Sequence, residues 1–90
     1  MNQFIIIEYS DGWMILQYKD GVQDKYWSCA EDSWDNVWNY MEAQEKETIH
    51  FKLPSYNMYL ELESELGIDI FDLSKKDIEN LKKRLIKYMN

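Results

Sequence analysis

Ninety residues with a formal net charge of −7, 46% hydrophobic side chains, one proline and one cysteine describe a single domain with an aromatic-rich core, far from the composition of a disordered chain. No apolar run reaches the roughly 20 residues that cross a bilayer, the opening Met1–Glu8 lacks the basic flank of a signal peptide, and Cys29 has no second cysteine to pair with, so a reducing cytoplasm is expected, bacterial or that of an infected host cell. A field this negative repels nucleic-acid backbones and anionic membranes and attracts basic surfaces.

The first thirty residues predict a three-stranded meander. Asp11-Gly12 is a hairpin signal between apolar runs; it pairs Tyr9 with Met14, Ile7 with Leu16 and Ile5 with Tyr18 on one core face. A second turn at Lys19-Asp20-Gly21, with Gly21 in a left-handed bulge position, pairs Tyr18 with Val22 and Met14 with Tyr26. A two-residue loop would instead send Gln23 and Lys25 to the core, so the three-residue loop is preferred. The opposite face carries Phe4, Ile6, Trp13, Ile15 and Trp27 among polar residues, with Trp13 facing Trp27. Either a second layer covers that face or it is an adhesive surface.

Ser28-Cys29-Ala30-Glu31 has the spacing of a capping box and predicts a helix over about 29–46, with Ala30, Trp34, Val37, Trp38 and Met41 as its buried stripe. Residues 48–53 alternate, Ile49, Phe51 and Leu53 against Thr48, His50 and Lys52, as a half-buried strand does. Residues 58–66 carry two signals. Met58, Leu60 and Leu62 alternate with Tyr59, Glu61 and Glu63, which favours a strand paired back through a loop at Pro54 to Asn57; the Glu and Leu content and Gly67-Ile68 favour a helix. Ser74 with Asp77 opens a last helix over 74–90, with Ile78, Leu81, Leu85 and Tyr88 or Met89 as its apolar stripe. The expected class is α+β, an antiparallel sheet in the order β-β-β-α-β-β-α or β-β-β-α-β-α-α with helices packed on it, one domain over 1–90. Within it, Ile5, Ile7, Leu16, Trp34, Trp38, Phe51, Leu81 and Leu85 are expected to be buried.

No residue pattern carries enzyme chemistry. His50 is the sole histidine and is expected on the exposed side of its strand; Cys29 is expected to be a small buried residue at a helix start. The glycines stand singly at 12, 21 and 67, so no phosphate loop exists, and no Cys or His pair has metal-ligand spacing. Neither a catalytic residue, a cofactor nor a metal is expected.

Charge and aromatic content are what remain. Residues 1–30 carry four acids and two bases, 31–72 eleven acids and two bases, and 73–90 two acids and six bases. Asp32, Asp35 and Glu42 form a helical stripe, and Glu61, Glu63 and Glu65 recur at strand spacing, repeating about every 7 Å, near the phosphate spacing of a nucleic-acid strand. Such rows imitate a phosphate backbone toward a basic protein; a solvated face that keeps a small domain soluble is the plainer reading. Trp13, Trp27 and Tyr59 are the candidate aromatic anchors beside Asp32, Asp35, Glu42, Glu61 and Glu63.

The segment Glu65-Leu66-Gly67-Ile68-Asp69-Ile70 resembles the end of the second helix of acyl carrier proteins, but the Asp-Ser-Leu attachment site expected upstream is missing, with Lys52 in its place, so no function follows. In composition (short, acidic, cysteine-poor, rich in Trp and Tyr) the chain is similar to phage-encoded inhibitors of host defence, including anti-CRISPR proteins and DNA mimics, and to immunity proteins that neutralise toxins. That likeness implies a non-enzymatic inhibitor, monomeric or homodimeric, whose partner is a nuclease, defence effector or toxin with a basic surface. A binder that stacks Trp and Tyr on a nucleotide or sugar is the alternative.

Overall fold

Alternating residues of the central strands are apolar on both faces, so both faces need cover. The computed structural model describes residues 1–89. Four strands, β1 (Asn2–Tyr9), β2 (Gly12–Lys19), β3 (Val22–Ser28) and β4 (Lys46–Lys52), form one sheet in the order β3-β2-β1-β4. Three helices, α1 (Trp34–Glu42), α2 (Tyr56–Leu66) and α3 (Lys75–Arg84), pack on it, followed by a short 3-10 turn at Ile86–Tyr88. The class is α+β, with the element order β-β-β-α-β-α-α.

The sheet is not wholly antiparallel: β4 runs parallel to β1, with Ile5 beside Ile49 and Ile7 beside Phe51. Strand β3, two antiparallel steps from β1, points the same way as β4. The chain must therefore return across the sheet between them, and α1 is that return. It crosses the face made by Phe4, Ile6, Trp13 and Ile15 and seats Val37 and Met41 there. The other face, Ile5, Ile7, Met14, Leu16, Tyr18, Ile49 and Phe51, is covered by Tyr59 and Leu62 of α2 and Ile78 and Leu81 of α3. Both faces of the sheet are thus closed by helix.

The meander keeps its predicted faces but changes its registers. Tyr9 pairs with Gly12, Ile7 with Met14 and Ile5 with Leu16, two residues from the expected pairing. A two-residue slip preserves the face of every side chain, so the core set survives. Gly12 is needed for space, not for a left-handed turn: a Cβ there would lie 2.6 Å from Cys29 Sγ and 2.9 Å from the Tyr9 ring. The second hairpin uses the two-residue loop that the pattern argued against. Asp20 and Gly21 both have positive φ (51° and 82°), as a type I′ turn demands. A bulge between Gln17 and Tyr18 then restores the phase, so that Leu16 faces Tyr26 and Trp27 faces Ile15 rather than Trp13.

Three helix expectations are corrected. Helix α1 starts at Trp34, not near residue 29, because the Cys29 amide still extends the sheet ladder to Trp13 O (3.1 Å) and the Asp32 carboxylate accepts the Ser28 amide (3.1 Å). That closed turn competes with helix, leaving Cys29 and Ala30 exposed. Residues 58–66 are helix, not strand. Ser55 caps the first turn by accepting the Met58 amide (3.2 Å), and Gly67 at φ 65° ends it. Its buried residues, Tyr59 and Leu62, follow helical spacing, whereas Leu60, inward in a strand, is exposed. Helix α3 opens on the full Ser74–Asp77 capping box but stops at Arg84, short of 90; Asn90 itself lies outside the described residues. The irregular link between α2 and α3 adds Ile68, Ile70 and Leu73 to the core.

Ile5, Ile7, Leu16, Phe51, Leu81 and Leu85 are buried as expected, but Trp34 and Trp38 are only half-buried. A helix lying alone on a sheet buries one narrow stripe, here Val37 and Met41, and the neighbouring tryptophans keep one edge in solvent.

Burial also shapes the phenols. Tyr18 is pushed up to about 12 by burial and by Asp72 and Asp77; Tyr9 is pushed up to about 12 by burial and by Cys29. Tyr59 is raised further, by burial and by Glu63, to whose Oε2 its hydroxyl donates (3.1 Å). An unfolded tyrosine releases its proton near pH 10, while Tyr9 and Tyr18 hold theirs to about 12. The folded state therefore binds more protons in that window, and stability should be full below pH 10 and fall from 10 to 12. Urea midpoints taken across that range check it; Tyr18→Phe should flatten the fall, and an unchanged slope would contradict the assignment.

Candidate functional site

The acid-rich middle of the chain is not one surface. Asp32, Asp35 and Glu42 lie on or beside α1, on one side of the sheet. Glu61 and Glu63 lie on α2, on the other. Nor do Glu61, Glu63 and Glu65 form a row at strand spacing. On a helix Glu61 and Glu65 share a face while Glu63 points away, toward the Tyr59 hydroxyl. The phosphate-like ladder is thereby removed.

Of the three aromatic candidates, Trp13 (9% exposed) sits under α1, its ring edge-on to Trp34 at 5.4 Å. Tyr59 (1% exposed) is in the core under α2. Neither offers its ring to a partner. Trp27 is half-buried at the edge of the α1 side, stacked on Phe4 (6.4 Å) and beside Tyr40 (5.4 Å). The structure thus brings Asp32, Asp35, Glu42 and Trp27 to one side, buries Trp13 beneath that same side, and puts Glu61, Glu63 and Tyr59 on the other.

That side has a distinct chemistry. Between Lys25 and Lys46 the chain carries Glu31, Asp32, Asp35, Glu42 and Glu45, all exposed, and no Lys, Arg or His. Asp35 and Glu42 project from α1 two turns apart, about 10 Å along the axis. The exposed edges of Trp34 and Trp38, stacked at 5.2 Å and 20°, run between this acidic stripe and the sheet. Glu42 reaches Lys46 at 3.7 Å. The α2/α3 side differs: Arg84 donates to both oxygens of Glu65 (2.7 Å each), Lys82 pairs with Glu79 (3.5 Å), and α3 is basic. Glu65 and Glu79 there meet cations of their own chain. Sequence reading missed Trp34, Trp38 and Tyr40 as surface groups. The long gap without a base between Lys25 and Lys46 was the available signal.

Beneath this side lies a polar knot. Gln17, fully buried on β2, accepts the Tyr40 hydroxyl (2.9 Å) and donates to Asn2 Oδ1 and Gln44 Oε1 (3.3 Å each). Asn2 in turn donates to Gln44 Oε1 (2.7 Å). A buried amide needs such partners, and the knot fixes the end of α1 against the sheet.

His50 is not solvated as expected. It is half-buried on the α1 side of β4, 2.9 Å from Glu8 Oε1 and near Trp38 (6.3 Å between rings), because α1 covers the face to which it points. Cys29 is exposed rather than buried, with its sulfur against Gly12 and the Tyr9 ring. Among the described residues no three His, Cys, Asp or Glu side chains are grouped to hold a metal ion, and no helix is long and apolar enough to cross a membrane.

Two clefts border the acidic side. The larger, about 630 Å³ at the end of the sheet, mixes Lys19 and Lys46 with Asp20 and Glu45, so it is not an acidic site. The smaller, about 390 Å³, lies between α1 and β3 and is lined by Trp27, Tyr40, Glu31, Asp32, Asn36 and Lys25. No protein-family model, curated protein or solved structure matches the chain.

Proposed function

We propose that the protein is a non-enzymatic inhibitor that covers a basic surface on a macromolecular partner, of the kind a host-defence nuclease presents to its nucleic acid. The observation that carries this reading is the α1 side: five exposed carboxylates in a stretch without a base, beside the half-exposed Trp34, Trp38 and Trp27. Glu42 has Lys46 within reach, but the net charge of the side stays negative; such charge accelerates encounter with an oppositely charged partner, and aromatic edges supply short-range contact once solvent is excluded. The mechanism is occlusion: carboxylates take the place that phosphates would occupy, and the rigid three-layer body blocks access. No bond is made or broken.

The test is paired affinity capture. The wild-type domain and an Asp32→Asn/Asp35→Asn/Glu42→Gln variant serve as baits, and the captured partner's nuclease activity is assayed with each. The wild type should retain a basic protein and inhibit it, and the variant should lose both effects. Identical capture and inhibition by the two baits would refute the reading.

A further inference from the structure

We propose that the cleft between α1 and β3 is a receptor for an arginine side chain of the partner. This deepens the reading of the α1 side as the binding surface and rests on it. One side of the cleft is an aromatic wall made by Trp27 and Tyr40, two rings in tilted contact with centres 5.4 Å apart and planes inclined at 56°. Both rings are held from behind. Trp27 stacks on the fully buried Phe4, and the Tyr40 hydroxyl is tied to the fully buried Gln17. A receptor whose walls are already fixed loses little entropy on binding.

The charges at its rim define the occupant. Glu31 and Asp32 bring two exposed carboxylates, and Asn36 adds an amide. Asp32 is oriented by the Ser28 amide on one oxygen, which leaves its other oxygen for a ligand. The chain itself demonstrates the preference: Lys25 Nζ lies 5.0 Å from the Tyr40 ring centre and 3.4 Å from its hydroxyl. The cleft already holds a cation on a long, exposed side chain that is free to swing aside. A guanidinium fits better than this ammonium. It is planar, so it stacks on the rings, and its forked donors meet a carboxylate in pairs. Anionic ligands are disfavoured by the same two carboxylates.

The probe is a capped peptide, Gly-Gly-Arg-Gly-Gly, titrated into the isotopically labelled domain and followed by amide and indole N–H chemical shifts. Its counterparts carry citrulline, the uncharged analogue of arginine, or lysine. Shifts should concentrate on the Trp27 indole and the amides of residues 31–36. The citrulline peptide should produce none, and the lysine peptide should bind about tenfold more weakly, the size of one lost charge-assisted hydrogen bond. Trp27→Ala and Glu31→Gln/Asp32→Asn should each weaken the arginine peptide by at least about tenfold. Lys25→Ala, which removes the resident cation, should strengthen it. Equal binding of the citrulline peptide, or shifts spread equally over Glu61 and Glu65 on α2, would overturn the receptor. If that happens while acid substitutions on α1 still abolish partner capture, the cleft falls and the face stands. If the peptide binds the cleft but those substitutions leave capture unchanged, the cleft takes arginine but the face reading falls, and with it the assignment of the cleft to the partner.

Discussion

Phe51→Ala should remove most of the domain's stability, while Trp38→Ala should leave most of it in place. Phe51 is 1% exposed on β4, in the core closed by α2 and α3. Removing a fully buried ring costs about 3–5 kcal/mol, through lost transfer energy and the cavity that remains. A small domain often holds little more than about 5 kcal/mol in total. Trp38 is larger but half-buried, one edge in water and the other against Trp34 and His50. Its truncation removes only part of that burial, so about 1–2 kcal/mol is expected. Sequence periodicity alone would give Trp38 the larger penalty. Urea unfolding followed by circular dichroism separates the two. A Trp38 variant less stable than the Phe51 variant would mean that α1 is packed more deeply than the structure has it.

Reversing charge on α1 should slow partner association by about tenfold or more at low salt, whereas the same change on α2 should do little. Asp35→Lys/Glu42→Lys removes two acids from the side that has no base between Lys25 and Lys46. Glu61→Lys/Glu65→Lys makes the same net change at two exposed residues across the sheet, where α3 supplies compensating bases. Dissociation rates should respond less, since rim charges steer encounter more than they hold the complex. Raising ionic strength from about 0.01 M to 0.1 M shortens the screening length from about 30 to about 10 Å, so the wild-type advantage should shrink with it. Surface-plasmon kinetics on the captured partner reads all three. Equal sensitivity on α1 and α2 would show that net charge matters and the face does not.

Local signals were legible wherever one chain segment decides its own structure. The strand faces of the meander, the alternation of Ile49, Phe51 and Leu53, and the Ser74–Asp77 cap all appear as expected, because side-chain period and capping geometry are set within a few residues. The register of both hairpins was less legible: in the first, pairings two residues apart leave the same apolar faces, so the pattern cannot choose between them, and in the second the pattern argued for the wrong loop because the bulge between Gln17 and Tyr18 restores the phase. Alternation over 58–62 was misleading because Tyr59 and Leu62, spaced for a helix, also sit among residues that alternate. Ser55 and Gly67, which cap the two ends, decide for helix.

The sequence by itself determined an acidic, aromatic-rich α+β domain, since charge, composition and periodicity are properties of the chain alone. Only the tertiary structure decided which carboxylates share a surface. Placing β4 parallel to β1 forces α1 across one face of the sheet and leaves α2 and α3 to the other. Acids consecutive in sequence are thereby divided between opposite sides, Trp13 and Tyr59 are buried, and Trp34 and Trp38 keep an edge in solvent. The pairing of Tyr40 with Gln17, and of Trp27 with Phe4, joins residues far apart in the chain, so the cleft they wall exists only once the sheet and α1 have met.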